Sequence, residues 1–259
     1  PDRIPQLPDA DSLAAQLAEA PFRQPARKEG VRFTALVPNL RGFERFQASG
    51  LDGLALFLSV SEGHNRANLN ASVARSMENA RQVVEAARAS SVPVRCYLST
   101  AFGCPFEGRV APEKVLDLVD FFAALGVDQV VLGDTIGVAH PRQVASLCEK
   151  AQARLPAGSL GLHLHDTYGT ALANALAGWE TGVALFDAAV GGVGGCPYAP
   201  GATGNLATGD LVHLFEGMGV ACGVDPDKLL AAGRFLEDSL GRRLPGRVHR
   251  ARLGSSCLP

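Results

Sequence analysis

Six short apolar runs, each followed by a longer amphipathic stretch, restrict this 259-residue chain to a small set of folds. The runs are VRFTALV (31–37), GLALFLSV (53–60), VPVRCYLS (92–99), VDQVVLGD (127–134), LGLHLHD (160–166) and VALFDAAV (183–190). Most are almost continuously apolar, as parallel strands covered on both faces are. Between them, SVARSMENARQVVEAARAS (72–90) carries apolar residues at three- and four-residue spacing. APEKVLDLVDFFAALG (111–126) sets Pro112 at a helix start and Gly126 at its end. HPRQVASLCEKAQARL (140–155) and TALANALAGWETG (170–182) follow the same pattern, and 207–219 and 225–241 read as closing helices.

Strands and helices alternating in this way predict βα units and a parallel sheet. A doubly wound sheet and an eight-stranded barrel share that rhythm, and the chain length suits a barrel. Six strands leave a barrel two short. The sequence also opens on PDRIPQLPDADSLAAQ, with no initiator methionine, signal-peptide core or first strand. The expectation is a single α/β domain over 1–259, a TIM (β/α)8 barrel with its first two strands absent. Barrel units are expected over 1–190, a mobile loop over 191–205 and C-terminal helices over 206–259. The strands that begin at Val31 and end at Val190 are expected to carry unpaired edges, which a partner chain would fill.

Composition enters mainly by exclusion. Hydrophobic residues at 47% and charged residues at 19% support a large core. A net charge of −2 gives no footprint for nucleic acid or an anionic membrane. No apolar run approaches the roughly 18–20 residues that span a bilayer. Cys96, Cys104, Cys148, Cys196, Cys222 and Cys257 lack zinc-finger spacing, so they read as reduced thiols in a cytosol-like compartment.

The C-terminal ends of barrel strands open onto one face, where catalytic groups collect. LGDTIG leaves Asp134 and Thr135 at one such end, and LHLHDTYG leaves His163, His165 and Asp166 at the next. SVSEGHNRANLN and STAFGCPFEG are polar or glycine-rich sequels to two more strands. A strand alternates its side chains, so His163 and His165 point the same way, roughly 6.5–7 Å apart along the backbone. Both imidazoles can reach one ion, or each can bond a neighbouring carbonyl instead. Imidazole suits zinc, iron, nickel or manganese better than magnesium, so the pair leaves the metal open. Asp166 points to the other face and reads as a supporting or structural group. In GGVGGCPYAPGATGN (191–205), glycines allow a mobile loop, Cys196 offers an accessible thiol, and the Asn205 amide oxygen could join the histidines.

In these segments, together with TALVPNLRGFE, PVRCYLSTAFGCPFEG and EGMGV, the chain resembles the hydroxymethylglutaryl-CoA lyases along nearly its whole length. These belong to a metal-dependent lyase and aldolase group of TIM barrels that includes isopropylmalate and homocitrate synthases. The resemblance implies that His163, His165 and Asn205 ligate a divalent cation, Mg2+ or Mn2+. It implies that Cys196 transfers a proton, with His163 as ligand and proton acceptor and Asp134 assisting. Asn39, Thr135 and the SEGHNRAN segment would frame an acyl-CoA pocket. The implied reaction is cleavage of 3-hydroxy-3-methylglutaryl-CoA to acetyl-CoA and acetoacetate, in leucine degradation and ketone-body formation. A homodimer in the bacterial cytosol or mitochondrial matrix is implied as well. The family's first strand carries Arg-Asp-Gly-Leu-Gln, whose aspartate is the metal's anionic ligand, and its second strand a glutamate. This sequence holds neither, so the chain as given is expected to bind metal weakly and turn over little. Two rival readings are a related acyl-CoA lyase or condensing enzyme, which usually lacks the Cys-Pro-Tyr loop, and an inactive binding module.

Overall fold

The computed structural model describes residues 9–194 and 204–255. Six strands form one sheet: β1 (Thr34–Leu36), β2 (Gly53–Ser59), β3 (Val94–Ser99), β4 (Gln129–Asp134), β5 (Leu160–Leu164) and β6 (Leu185–Asp187). All pairings are parallel and each strand lies beside the next in sequence. A doubly wound sheet would reverse its order at a switch point. The unbroken progression is that of a barrel wall.

The sheet also curls. β3 and β6 stand three strand spacings apart, about 14 Å in a flat sheet, yet Arg95 of β3 donates to Asp187 of β6 at 2.9 Å across the concave side. Among the described residues β1 and β6 each pair on one side only, as the expected open edges require.

Period-two alternation sorts the side chains between the two faces. Leu54, Leu56, Leu58, Cys96, Leu98, Val130, Leu132, Leu160, Leu162 and Leu164 point outward and are buried. They meet helices α5 (Val73–Ala89), α6 (Pro112–Leu125), α7 (Pro141–Gln152) and α8 (Ala171–Glu180) through Val83, Val119, Phe122, Val144 and Cys148. Burying each large apolar side chain contributes about 1.5–3 kcal/mol. At Gly178 a Cβ would run into Leu162 Cδ1, so glycine is what lets α8 lie flat on β5. The other set of alternate residues, Arg95, Tyr97, His163 and Asp187, faces the concave side.

Local signals fix the helix ends. Pro112 opens α6, and Gly126 closes it at φ 69°. Pro141 opens α7, with the His140 ring accepting from the Gln143 amide. After β6 come α9 (Thr208–Gly217), α10 (Pro226–Leu240) and α11 (Arg247–Ser255). α9 and α10 are the two expected closing helices. Four helices lay outside the sequence reading: α1 (Ala10–Glu19), α2 (Arg23–Lys28), α3 (Leu40–Ser49) and α4 (Glu62–Leu69), with α11 making a fifth. α4 falls in the segment read as a polar sequel to β2; it buries only His64 and Asn65 and so displays no apolar period. Among the described residues no helix is long and apolar enough to cross a membrane, and Cys96, Cys104, Cys148 and Cys222 are unbridged.

Candidate active site

At the C-terminal ends of the strands the concave face opens into a cavity of about 540 Å3, lined among others by Tyr97, Thr135, His163, His165, Asp187 and Asn205. β5 delivers the two histidines to it from alternate positions. His163 lies opposite Asp187 in the β5–β6 register, and its Nδ1 is 3.2 Å from Asp187 Oδ2. The two ring Nε2 atoms of His163 and His165 stand 3.3 Å apart. Tyr97 packs edge-on against His163, centroids 6.0 Å apart at 87°.

Asn205 arrives from far along the sequence by forming an antiparallel bridge with His165. The Asp166 amide donates to the Gly204 carbonyl at 3.1 Å and the Leu206 amide to the Leu164 carbonyl at 3.0 Å. Gly204, at φ +117°, lies so close to the Gly192 and Gly194 carbonyls that any Cβ would collide with them. The Asn205 Nδ2 donates to the Val193 carbonyl at 3.0 Å, and among the described residues Oδ1, like His165 Nδ1, is buried with no hydrogen-bond partner.

These atoms test the fit of a divalent cation. Two imidazole lone pairs repel at 3.3 Å, so one nitrogen must carry a proton or both must face a cation. Imidazole–metal bonds of about 2.0–2.1 Å put two neighbouring ligands about 3 Å apart, close to the observed separation. The orphaned Asn205 oxygen supplies a third neutral donor. The set therefore fits the imidazole and amide side of a cation site. It contains no carboxylate, and among the described residues no three His, Cys, Asp or Glu side chains converge on one point. Magnesium prefers oxygen ligands and is usually held by at least one carboxylate.

Electrostatics follow from burial. Desolvation, helped by the neighbouring His163, pushes His165 down to about 4, so the ring is neutral near pH 7 and able to act as a ligand. Burial raises the Asp187 carboxyl, but the hydrogen bond with His163 and the charge of Arg95 outweigh it and hold the group below the usual range. Burial and the Asp187 charge push the Tyr97 phenol up to about 12.

Not every expected residue reaches the cavity. Asp134 does not line it: β4 turns this side chain to the outer, helix-covered face, where it is fully buried and accepts from the Val138 and Ala139 amides at 3.0 Å each. Its expected place beside the reacting hydroxyl is thus corrected to a buried turn-holding position, because Gly133 and Thr135, its neighbours in sequence, are the residues facing the cavity. Burial pushes the Asp134 carboxyl up to about 6 against the pull of those amides.

Asn39 is not among the residues lining the cavity. It caps α3, its Oδ1 accepting from the Gly42 amide at 3.0 Å, and it lines a groove beside α1 and β1 that shares Thr34, Ala35 and Leu36 with the cavity. Thr135 does line the cavity, its Oγ1 accepting from the Thr100 amide at 2.7 Å. From the SEGHNRAN segment, His64 and Asn68 join the lining. Asp166 takes the supporting place expected of it, accepting from the Ala171 amide at 3.1 Å and from Arg247 at 2.9 Å. Cys196 lies outside the described residues.

Three residues escaped the sequence reading: Asp187, Arg95 and Tyr97. Arg95 donates to Asp187 at 2.9 Å, to the Tyr97 hydroxyl at 3.2 Å and to Gln129 at 2.6 Å. The available signal was alternation, since Arg95 and Tyr97 are polar members at i and i+2 of an apolar run, and so share one face.

A parallel sheet that curls strand by strand and gathers its polar side chains at one end is the wall of a β/α-barrel enzyme. The chain belongs to the HMGL-like family, which it matches over residues 24–236. It is 42% identical to hydroxymethylglutaryl-CoA lyase of Bacillus subtilis over 247 residues, covering 95% of this chain and 80% of the relative. It is 43% identical over 253 residues to (R)-citramalyl-CoA lyase of Chloroflexus aurantiacus, covering 97% and 80%. Among solved structures, an HMG-CoA lyase of Acinetobacter baumannii in complex with coenzyme A and 3-methylmalate superposes with a TM-score of 0.89. That pair is 35% identical, over 97% of this chain and 79% of the other.

Proposed function

We propose that this site performs divalent-metal-dependent cleavage of 3-hydroxy-3-methylglutaryl-CoA to acetyl-CoA and acetoacetate. The observation that carries the reading is the convergence of the His163 and His165 Nε2 atoms, 3.3 Å apart, beside the orphaned Asn205 oxygen. His163, His165 and Asn205 would hold the ion, Mg2+ or Mn2+. Such an ion would supply Lewis-acid chemistry that acidifies the substrate's tertiary hydroxyl, worth several kcal/mol. Asp187 and Tyr97 hold His163 in orientation, and Thr135 and Asn68 border the space for the acyl group. Cys196 is proposed to protonate the departing thioester enolate, and the proton given up by the tertiary hydroxyl as the C–C bond breaks to return the resulting thiolate to the thiol. The coenzyme A in the Acinetobacter neighbour supports an acyl-CoA substrate. A homodimer is proposed as the working assembly, to be read by sedimentation.

The 43% identity to a citramalyl-CoA lyase makes that acyl-CoA the competing substrate. The two differ by one methylene in the carboxylate arm and release acetoacetate or pyruvate respectively. Parallel coupled assays for both products, on protein expressed from the full coding sequence, separate the readings. Acetoacetate as the main product is expected, and a preference for pyruvate would overturn the assignment. Cys196→Ala is expected to lower kcat by orders of magnitude with little change in KM, and near-normal turnover would remove the thiol from the mechanism.

A further inference from the structure

The polar groups of the concave face form a chain of bonds with a direction. At the base, Arg95 on β3 donates to Asp187 Oδ1 at 2.9 Å. The other oxygen of that carboxylate, Oδ2, lies 3.2 Å from His163 Nδ1. His163 Nε2, at the far side of the ring, faces His165 and the cavity. A carboxylate held by a guanidinium at 2.9 Å acts as an acceptor only, so the proton between Asp187 and His163 belongs to Nδ1. That leaves Nε2 as the bare lone pair on the cavity side. Tyr97, edge-on to the ring and itself bonded to Arg95, closes the remaining direction of rotation.

We infer that Asp187 is the positioning residue that holds His163 in its Nδ1–H tautomer, and that Arg95 keeps Asp187 in place for that task. The inference builds on the cation reading above and states what readies His163 for it. Ligands oriented by a second carboxylate in this way commonly lose 10–100-fold in metal affinity when the carboxylate is replaced.

Asparagine at 187 makes the claim testable, because an amide has one oxygen to offer where the carboxylate had two. The always-charged Arg95 takes that oxygen. The amide NH2 then faces His163 Nδ1, which must become an acceptor, and the ring proton moves to Nε2. The same exchange in a serine-protease triad keeps the geometry and leaves the imidazole in the wrong tautomer. Removing the competing guanidinium frees the amide to turn. Asp187→Asn combined with Arg95→Met should therefore return His163 to Nδ1–H, a rescue that a loss of packing would not produce.

Long-range 1H–15N spectra of the 15N-labelled protein read the tautomer directly, with His163→Gln assigning the resonance among six histidines. The expected results are Nδ1–H in the wild type, Nε2–H in Asp187→Asn, and Nδ1–H again in the double variant. Nε2–H in the wild type, or an unchanged tautomer in Asp187→Asn, overturns the inference. The wild-type spectrum decides even where a variant fails to fold. Mn2+ binding followed by electron paramagnetic resonance is expected to weaken about 10–100-fold in Asp187→Asn. If the wild type binds no Mn2+, the cation reading falls, while the tautomer result still judges Asp187.

Discussion

Acidification should expose what it costs to keep His165 neutral. The ring is 7% exposed and sits at about 4 in the folded chain, against about 6.5 when unfolded. Between those values the unfolded state binds more protons. The stability tied to the neutral ring is therefore complete above about pH 6.5 and lost as the pH falls toward 4. From pH 7 to pH 4.5 this group alone costs about 2.5 kcal/mol. Asp134 works in the opposite sense. Its carboxyl is raised from 3.8 to about 6, so its contribution is complete below about pH 4 and lost as the pH rises through 6. Over the same interval acidification returns about 2 kcal/mol through Asp134. The two groups nearly cancel, and the wild-type profile conceals both. His165→Gln removes only the first. Urea unfolding at pH 7 and pH 4.5 should show that, on acidification, the variant fares better than the wild type by about 2–2.5 kcal/mol. Parallel profiles for the two proteins would refute the reasoning.

Gly178→Val drives a side chain into Leu162 at the α8–β5 contact and should destabilise the fold by about 1–3 kcal/mol; an unchanged urea midpoint would show that the helix can lift freely from the sheet. Asn39→Ala removes the α3 cap at a cost of about 1 kcal/mol. It should leave the acyl-CoA KM unchanged, and a large rise in KM would return Asn39 to the binding site.

Much of the fold was legible because alternation of apolar strands with capped helices is a local property. Pro112, Gly126 and Pro141 fix their helix ends through their own backbone preferences, and the six strand centres lie where the apolar runs placed them. α4 was not legible, since a helix that buries His64 and Asn65 carries no apolar period. In the site, the His163–His165 pair could be read from period two within a single strand. Asp134 was misplaced by the same rule applied loosely: Thr135, one residue on, holds the cavity-facing position. Asp187 could not be found from its own neighbours, because its meaning comes from His163, 24 residues away, and Arg95, 92 residues away.

The sequence by itself determined the succession of βα units, the common face of the two histidines and the family, since these depend on residues a few positions apart or on motifs kept in order. The tertiary structure alone decided which polar groups meet. Curling the sheet brings β3 across to β6, and a bridge lays Asn205 beside His165. Those encounters are set by how far a parallel sheet bends under its helices, a quantity summed over the whole core that no single segment encodes.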